Sequence, residues 1–146
     1  MIAHININSI RNKFNDHMEI VGTNMDFLAI SETKLDQSFP INQFTFSSFK
    51  KPYRLDVNAR QGGIMVLVNS NIPSRQINIS CLPKDIQQIS IELNFHKHKW
   101  LIISIYKPPT QNAHYFLEKL SILLDQYDKD YENILILGDF NLNRIN

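Results

Sequence analysis

Short apolar runs set off by polar turns recur along the chain and predict buried β-strands. Residues 27–30 read Phe-Leu-Ala-Ile, residues 64–68 read Ile-Met-Val-Leu-Val, and residues 134–137 read Ile-Leu-Ile-Leu. Runs of this length between turn formers are typical of strands that are covered on both faces. Residues 88–93 instead alternate polar and apolar side chains, which predicts a strand with one face in solvent.

Weaker patterns predict the remaining strands and one hairpin. Four further strands are expected, over residues 2–7, 44–49, 75–80 and 100–106. The sequence His-Lys-His-Lys at residues 96–99 separates two strand patterns and predicts a hairpin tip. The rest of residues 35–62 is mostly polar and is expected to be loop.

Apolar residues recur at helical spacing in two segments. In the first segment these positions are Ile10, Phe14, Met18 and Val21. The pair Asn8-Ser9 is expected to cap this helix and Gly22 to end it. In the second segment one face carries Phe116, Leu117, Leu120, Leu124 and Tyr127. Both patterns are typical of helices that pack on a core through one face.

The order of these elements predicts the fold class. Strand, helix, strand, several consecutive strands, helix and strand contain too many successive strands for a doubly wound parallel sheet. Two packed sheets with helices on their outer faces accommodate this order, so we expect an α+β fold, a four-layer αββα sandwich. With 146 residues, 43% of them hydrophobic, the chain can form one compact domain over 1–146 but not two.

Composition narrows the function classes. The formal net charge is +1, which does not suit a protein that coats DNA through a strongly basic surface. A hydrolase that uses bound cations is compatible with it. The single cysteine, Cys81, excludes an internal disulfide, and no apolar run approaches the ~18 residues of a membrane span. The N-terminus lacks the pattern of a signal peptide, so an intracellular protein is expected.

Three of the predicted strands end in polar clusters. Asn6 and Asn8 lie at the end of the first strand, Glu32 follows the strand at 27–30, and Asp139 and Asn141 follow the last strand. Such side chains are costly at the ends of buried strands unless they meet water, a metal or hydrogen-bond partners. Carboxylate and amide oxygens converging at one rim are typical of a hard-metal site, such as one for Mg²⁺.

Each cluster also has an ordinary interpretation when taken alone. Gly and Asp are common turn formers, so Asp139 after Gly138 fits a simple turn. Glu32 fits a cap of the loop that follows it, and Asn6 fits a residue that satisfies backbone groups near a strand end. The order of longer motifs favours the site over these alternatives.

Five motifs occur in a fixed order along the whole chain. They are Asn-Ile-Asn-Ser-Ile-Arg at 6–11, Phe-Leu-Ala-Ile-Ser-Glu-Thr-Lys-Leu at 27–35, Gln-Gly-Gly-Ile-Met-Val-Leu-Val at 61–68, Ile-Tyr-Lys-Pro-Pro at 105–109 and Leu-Gly-Asp-Phe-Asn at 137–141. In this order the chain resembles the endonuclease of LINE-type (non-LTR) retrotransposons. That endonuclease belongs to the endonuclease/exonuclease/phosphatase superfamily, with apurinic endonucleases and deoxyribonuclease I.

The resemblance implies a role for each strand-end residue. It makes Glu32 the ligand of a catalytic Mg²⁺, with Mn²⁺ as a possible substitute, and Asp139 the group that orients or activates the attacking water. It places Tyr106 beside a non-bridging phosphate oxygen, Asn141 at the transition state and Asn6 where it sets the acidic cluster. These roles are coherent, because a metal and neutral donors stabilise the charge that develops on a phosphate.

The resemblance also suggests residues that contact DNA. Lys34 follows the metal-binding glutamate and is expected to reach the phosphate backbone. Arg54 and Arg60 lie in a segment that borders the DNA groove in the family, so they are candidates for phosphate contacts. The alternative for this segment is a solvated loop with an internal Arg–Asp pair. Double-stranded DNA, a fused reverse transcriptase and action in the nucleus are the implied partners and location.

The implied activity is Mg²⁺-dependent phosphodiester hydrolysis that nicks DNA for target-primed reverse transcription. One alternative is another phosphodiesterase of the superfamily, acting on abasic DNA, RNA or a small phosphoester. The family's later aspartate and Ser-Asp-His motif have no counterpart before Asn146, so the chain is interpreted as a C-terminally truncated domain. A catalytically inactive remnant is therefore a further alternative, and the chain alone is expected to be inactive and to aggregate. His4 is assigned no role.

Overall fold

The structure is a computed structural model and describes residues 1–21 and 24–142. Two four-stranded sheets pack face to face, and a helix covers the outer face of each. The α+β sandwich expected from the order of elements is therefore confirmed. Gly22, expected to end the first helix, lies outside the described residues.

The first sheet has the strand order β1-β2-β4-β3. Its strands are β1 (Ile2–Asn6), β2 (Phe27–Ser31), β3 (Tyr53–Leu55) and β4 (Ile64–Val68). β1 pairs in parallel with β2, and β4 runs antiparallel to both β2 and β3. Helix α1 (Phe14–Val21) packs on the outer face through Phe14 and Met18.

The second sheet has the strand order β5-β6-β7-β8. Its strands are β5 (Ser74–Ile77), β6 (Gln87–Phe95), β7 (His98–Tyr106) and β8 (Asn133–Asp139). The β6–β7 hairpin and the β5–β6 pair are antiparallel, whereas β7 and β8 are parallel because helix α2 (Ala113–Tyr127) connects them. The Asn112 side chain caps α2 by accepting from the Tyr115 N–H at 2.9 Å.

Alternation along the strands separates three apolar layers. Phe27, Ala29 and Val66 point between the sheets, while Leu28 and Ile30 point towards α1. Both faces of β2 and β4 are covered, which explains their continuous apolar runs, whereas β8, predicted to be covered in the same way, is half-buried throughout.

The predicted start of the first helix was wrong. α1 begins at Phe14, and Asn8 and Ser9 have positive φ angles of 46° and 81°. The Ser9 N–H donates to the carbonyl of Glu32 at 2.8 Å, so this backbone is bound to the neighbouring loop instead of capping a helix. Hydrogen bonds to residues distant in the chain determine the backbone conformation of this segment, and they override its local helix-capping propensity.

The strand predicted at 44–49 was also wrong. A short 3-10 helix spans Ile41–Phe44, and Phe49 makes only an isolated bridge to Asn69. The aromatic residues of this segment anchor a loop to the core under α1. The neighbouring strand β3, Tyr53–Leu55, lies in a stretch expected to be loop, because Arg54 masks its apolar character.

Strand β6 is covered on both faces, contrary to the prediction that one of them is in solvent. Ile89 and Ile91 face the other sheet, as the alternation predicts. On the opposite face Glu92 is buried under Arg75 and Tyr131, whose side chains bind its carboxylate at 2.7 and 2.8 Å. These hydrogen bonds, with that of Arg75 the strongest, lower the pKa of Glu92 to about 2. Glu92 therefore belongs to a satisfied ionic cluster, and the buried Ser90 donates to Gln88, so this face is not simply solvated.

The buried face of α2 agrees with the predicted one at Phe116, Leu120 and Tyr127 but not at Leu117 and Leu124. Leu123 is fully buried and packs with Phe116, whereas Leu117 is 49% exposed. Leu124, also assigned to the core, is exposed as well. The pattern contains two overlapping apolar stripes, and packing against β7 selected the one through Leu123.

Neither described helix is long and apolar enough to cross a membrane.

Candidate active site

The ends of the parallel strands in both sheets bring the predicted site residues to one rim of the sandwich. Asn6 pairs with Ser31, the residue before Glu32, across β1 and β2. Tyr106 pairs with Asp139 across β7 and β8. Because the two sheets face each other, these two pairs meet at the same rim.

Two hydrogen bonds between side chains join the sheets at this rim. The Asn6 Nδ2 donates to Asp139 Oδ2 at 2.8 Å, and the Tyr106 hydroxyl donates to Glu32 Oε1 at 3.3 Å. These residues lie 133 and 74 positions apart in the chain. We refer to Asn6, Glu32, Tyr106 and Asp139 as the strand-end cluster.

A glycine pair holds the loop that carries Glu32. The N–H groups of Thr33 and Lys34 donate to the carbonyls of Gly63 and Gly62 at 3.3 and 2.9 Å. A Cβ atom on Gly63 would lie 2.3 Å from Thr33 Oγ1, and the φ of Gly63 is +91°. Glu32 itself has a φ of 54°, so the close backbone approach holds the glutamate in a conformation that is costly for it.

Tyr106 is a hydrogen-bond donor in this environment. Burial raises the pKa of its hydroxyl, and the neighbouring carboxylates of Glu32 and Asp139 raise this pKa further. The hydroxyl therefore stays protonated at neutral pH and keeps its proton for an acceptor in the rim.

The turn after β8 fixes Asp139 and Asn141 together. The Asn141 N–H donates to Asp139 Oδ1 at 3.2 Å, and Asn141 Nδ2 donates to the Lys107 carbonyl at 2.9 Å. The Lys107 N–H returns a hydrogen bond to the Asp139 carbonyl at 2.9 Å. Gly138 is required here, because a Cβ atom would lie 1.8 Å from the Ile105 carbonyl oxygen. Asn141 thus lies next to the cluster, with one amide hydrogen bound to Lys107.

The proposed DNA-contacting residues fall in different places. Lys34 lies in the rim, where its Nζ is 3.9 Å from Glu32 Oε2 and donates to Asn8 Oδ1. Arg54 is outside the cluster and nearly buried, bound to Asp56 at 2.7 Å and to the Phe39 carbonyl at 3.2 Å. This matches the internal Arg–Asp pair considered as the alternative. Arg60 is exposed.

Two residues near the rim had no assigned role in the sequence. His4 precedes Asn6 on the same side of β1, and its Nε2 lies 3.0 Å from Ser31 Oγ. Burial lowers the pKa of His4, while the Asp139 carboxylate opposes that shift. Lys107 is only 1% exposed, and its Nζ donates to the carbonyls of Pro108 and Asn141 at 3.1 and 3.4 Å. His4 could have been found from the sequence, because the two-residue period of a strand places it on the same face as Asn6. No sequence pattern indicates that Lys107 is buried.

The donor set of the rim suits a hard cation. Within residues 1–21 and 24–142, no three His, Cys, Asp or Glu side chains are grouped closely enough to enclose a metal. The rim offers the carboxylates of Glu32 and Asp139 and nearby amide oxygens. Mg²⁺ is typically bound by only one or two carboxylates, with water and substrate phosphate completing its shell. The residues present therefore fit Mg²⁺, and Glu32, whose carboxylate accepts fewer hydrogen bonds than that of Asp139, could hold it.

The fold and the rim define a class of protein, the αββα sandwich with an oxygen-rich cluster at the ends of its parallel strands. Within that class, the chain belongs to the Endonuclease/Exonuclease/phosphatase family, whose profile matches residues 3–144. None of the curated proteins compared with the chain is a significant match.

Solved structures share the fold at low sequence identity. A 3′-5′ exonuclease (NExo) from Neisseria meningitidis is 19% identical, with a TM-score of 0.69, over 97% of this chain and 57% of that one. The endonuclease domain of TRAS1, a telomere-specific non-LTR retrotransposon, is 11% identical, with a TM-score of 0.67, over 97% and 59%. An AP endonuclease from Archaeoglobus fulgidus is 19% identical, with a TM-score of 0.62, over 97% and 57%. The chain thus spans less than two thirds of each of these structures.

Proposed function

We propose that the strand-end cluster is a Mg²⁺-dependent phosphodiesterase site that cleaves DNA, as in the endonuclease of a LINE-type retrotransposon. The observation that carries the proposal is the pair of hydrogen bonds between the sheets, Asn6 to Asp139 and Tyr106 to Glu32. Residues that serve only in separate turns are not expected to form hydrogen bonds between the two sheets. A hydrolytic site, in contrast, needs its groups within reach of one phosphate.

Asp139 is the group that positions the attacking water. Its Oδ2 accepts from Asn6 and its Oδ1 from the Asn141 N–H, so the carboxylate orientation is fixed from two sides. A carboxylate held this way keeps lone pairs directed into the rim, where a water can donate to it for in-line attack.

Tyr106 and Lys34 bind the phosphate from the other side of the rim. The Tyr106 hydroxyl retains its proton and donates to a non-bridging oxygen when substrate is present. The Lys34 ammonium, 3.9 Å from Glu32 Oε2, attracts the DNA backbone to this position. Asn141 adds a neutral donor from the turn after β8, since its amide has one hydrogen left beyond the bond to Lys107.

Glu32 is the residue that would hold Mg²⁺, with Mn²⁺ as a substitute. A bound divalent ion supplies stabilisation of the negative charge on the phosphate and the leaving oxygen. The protein contributes the fixed position of the carboxylate, which the Gly62–Gly63 backbone supports through the two following N–H groups.

The choice of DNA nicking rests on the sequence motifs and on one structural relative. The segment Tyr106-Lys107-Pro108-Pro109 looks more retrotransposon-like than repair-like, and the TRAS1 domain shares the fold. The proposed context is target-primed reverse transcription in the nucleus, with a reverse transcriptase on the same polypeptide. The observation that supports the alternative, a different phosphodiesterase of the family, is that the Neisseria exonuclease superposes on this chain as well as the TRAS1 domain does.

A nicking assay tests this function and its alternative together. The full-length polypeptide that contains these 146 residues is incubated with supercoiled plasmid, an abasic duplex and a 3′-phosphorylated duplex, with Mg²⁺ or EDTA. We expect Mg²⁺-dependent nicking of plasmid, reduced at least about 100-fold by Glu32→Gln and by Asp139→Asn, because each removes a charged group from the site.

The matched control is Asp125→Asn, which neutralises an exposed carboxylate on α2 and should nick normally. Cleavage confined to the abasic or 3′-phosphorylated duplex would support the alternative. Equal nicking by the Glu32 and Asp139 variants and the parent would refute the site. No cleavage of any substrate would identify a catalytically inactive member of the family.

A further inference from the structure

A cavity opens beside the strand-end cluster, on the side away from Asp139. Its volume is about 320 Å³, and Tyr106 forms part of its wall. Three separate segments supply the rest of the lining, which consists of Gln61, Gly62, Asp85, Gln87, Pro108–Pro109 and Thr110. The cavity thus adjoins the position of the phosphate in the proposed function.

Gln87 presents a fixed hydrogen-bond donor to this cavity. Its Oε1 accepts from the Gly63 N–H at 2.7 Å, which sets the orientation of the amide. Within the described part of the chain, its Nε2 has no hydrogen-bond partner. A Cβ atom on Gly62 would lie 2.5 Å from that Nε2, so the glycine is what lets the amide rest against the backbone. A donor held this way is available to a ligand at little entropic cost.

Asp85 presents an acceptor that is unsuited to phosphate. Its side chain is exposed and forms no ion pair with any residue in the described ranges. A carboxylate beside a phosphate-binding rim repels the DNA backbone, so its favourable contact on DNA is a donor on a base edge. Acidic side chains read bases in this way, by accepting from an exocyclic amino group.

The proline wall of the cavity is rigid and is tied to the catalytic turn. The rings of Pro108 and Pro109 fix their own φ angles and give an apolar surface. The buried Lys107 ammonium donates to the carbonyls of Pro108 and Asn141 at 3.1 and 3.4 Å. The wall and the turn of Asp139 therefore hold a fixed relative position, as expected of a preformed binding pocket.

We propose that this cavity binds one nucleobase of the DNA strand next to the cleaved phosphate and prefers a base with an exocyclic amino group. The proposal rests on the proposed function and extends it to base preference. The volume is at the lower end of the about 300–1,000 Å³ range of small-molecule pockets, which fits one base and excludes a base pair stack. Asp85 accepts from the amino group, Gln87 donates to a ring or carbonyl acceptor, and Pro109 packs against the base.

Binding measured without cleavage tests this pocket. The affinities of the full-length polypeptide that contains this chain for fluorescent dC and dT decamers are compared by anisotropy in EDTA at one low salt concentration. We expect about five- to tenfold tighter binding of the dC decamer, the low end of the discrimination of one good base contact. Asp85→Asn should abolish this ratio, and Gln87→Glu should weaken dC binding severalfold while the Gly63 hydrogen bond is kept.

Asp125→Asn is again the matched control, because it removes the same charge near the C-terminal end of α2, outside the lining of the cavity. It should raise both affinities together and leave their ratio unchanged, and thermal melting shows that each variant is folded. Equal affinities for the two decamers, or a ratio unchanged by Asp85→Asn, would overturn the pocket and leave the nuclease proposal intact. Failure to bind either decamer would overturn the pocket, and the plasmid nicking assay decides the proposed function separately.

Discussion

Each residue of the strand-end cluster is held by a partner that is distant in the chain. Asp139 is oriented by Asn6 from the other sheet, and Glu32 by the hydroxyl of Tyr106. Lys107 links this cluster to the neighbouring cavity, although it contacts neither phosphate nor metal in the proposed mechanism. It is a positioning residue, because its ammonium binds backbone carbonyls on both sides of the turn.

Replacement of Lys107 by methionine separates positioning from folding. Burying a charge is costly, so Lys107→Met should change the free energy of unfolding by no more than about 1 kcal/mol. The carbonyls of Pro108 and Asn141 lose their donor, so plasmid nicking by the full-length polypeptide should fall about tenfold. Urea unfolding and initial nicking rates measure the two effects. A fall in stability large enough to unfold the chain would contradict the positioning role.

The motif residues and the buried lysine show what sequence could predict at this scale. Asn6, Glu32 and Asp139 lie at strand ends, as the polar clusters and the resemblance both indicate, Tyr106 was indicated by the resemblance alone, and the structure brings the four together. Their catalytic roles stay predictions. No role could be predicted for Lys107, because its buried ammonium is bound by the carbonyl of Asn141, which lies 34 residues later in the chain.

Among the elements, the strands with continuous apolar runs were predicted most reliably. β2 and β4 are buried at every residue, so hydrophobicity alone marks them, whereas β8, predicted to be covered on both faces, is a half-buried outermost strand. β3 contains only three residues and the polar Arg54, and its pairing with β4 is what makes it a strand. The error was the opposite at 44–49, where a strand was predicted and none forms. The aromatic residues of this segment pack on the core, but its backbone does not pair with a sheet.

Helix α2 offers a test of which apolar stripe carries the packing energy. Leu123→Ala should lower the free energy of unfolding by about 2–5 kcal/mol, because the side chain is fully buried between α2 and the second sheet. Leu117→Ala is the matched control on the same helix, and its effect should stay within about 0.5 kcal/mol. Chemical denaturation measures both. Equal losses would mean that Leu117 also packs on the core, as the sequence pattern predicted, and would contradict packing through Leu123 alone.

At the scale of the whole molecule, the candidate site lies where two sheet edges meet. β1 and β8 are the outermost strands of their sheets, and they contact each other across the sandwich. The net charge of +1 leaves local groups, such as Lys34 and a bound cation, to attract the substrate. The chain spans 57–59% of the Neisseria and TRAS1 structures, and its expected inactivity and aggregation in isolation stay predictions.

The most direct test of the central claim is whether the rim binds a divalent metal through Glu32. Mn²⁺ can replace Mg²⁺ at carboxylate sites, and it broadens the NMR signals of nearby nuclei. In a titration of the ¹⁵N-labelled chain, we predict that the amides around Glu32, Tyr106 and Asp139 broaden first and saturably, and that Glu32→Gln abolishes this while Asp125→Asn does not. Broadening spread over the exposed acidic residues, or unchanged in the Glu32 variant, would contradict a metal-dependent phosphodiesterase site in this chain.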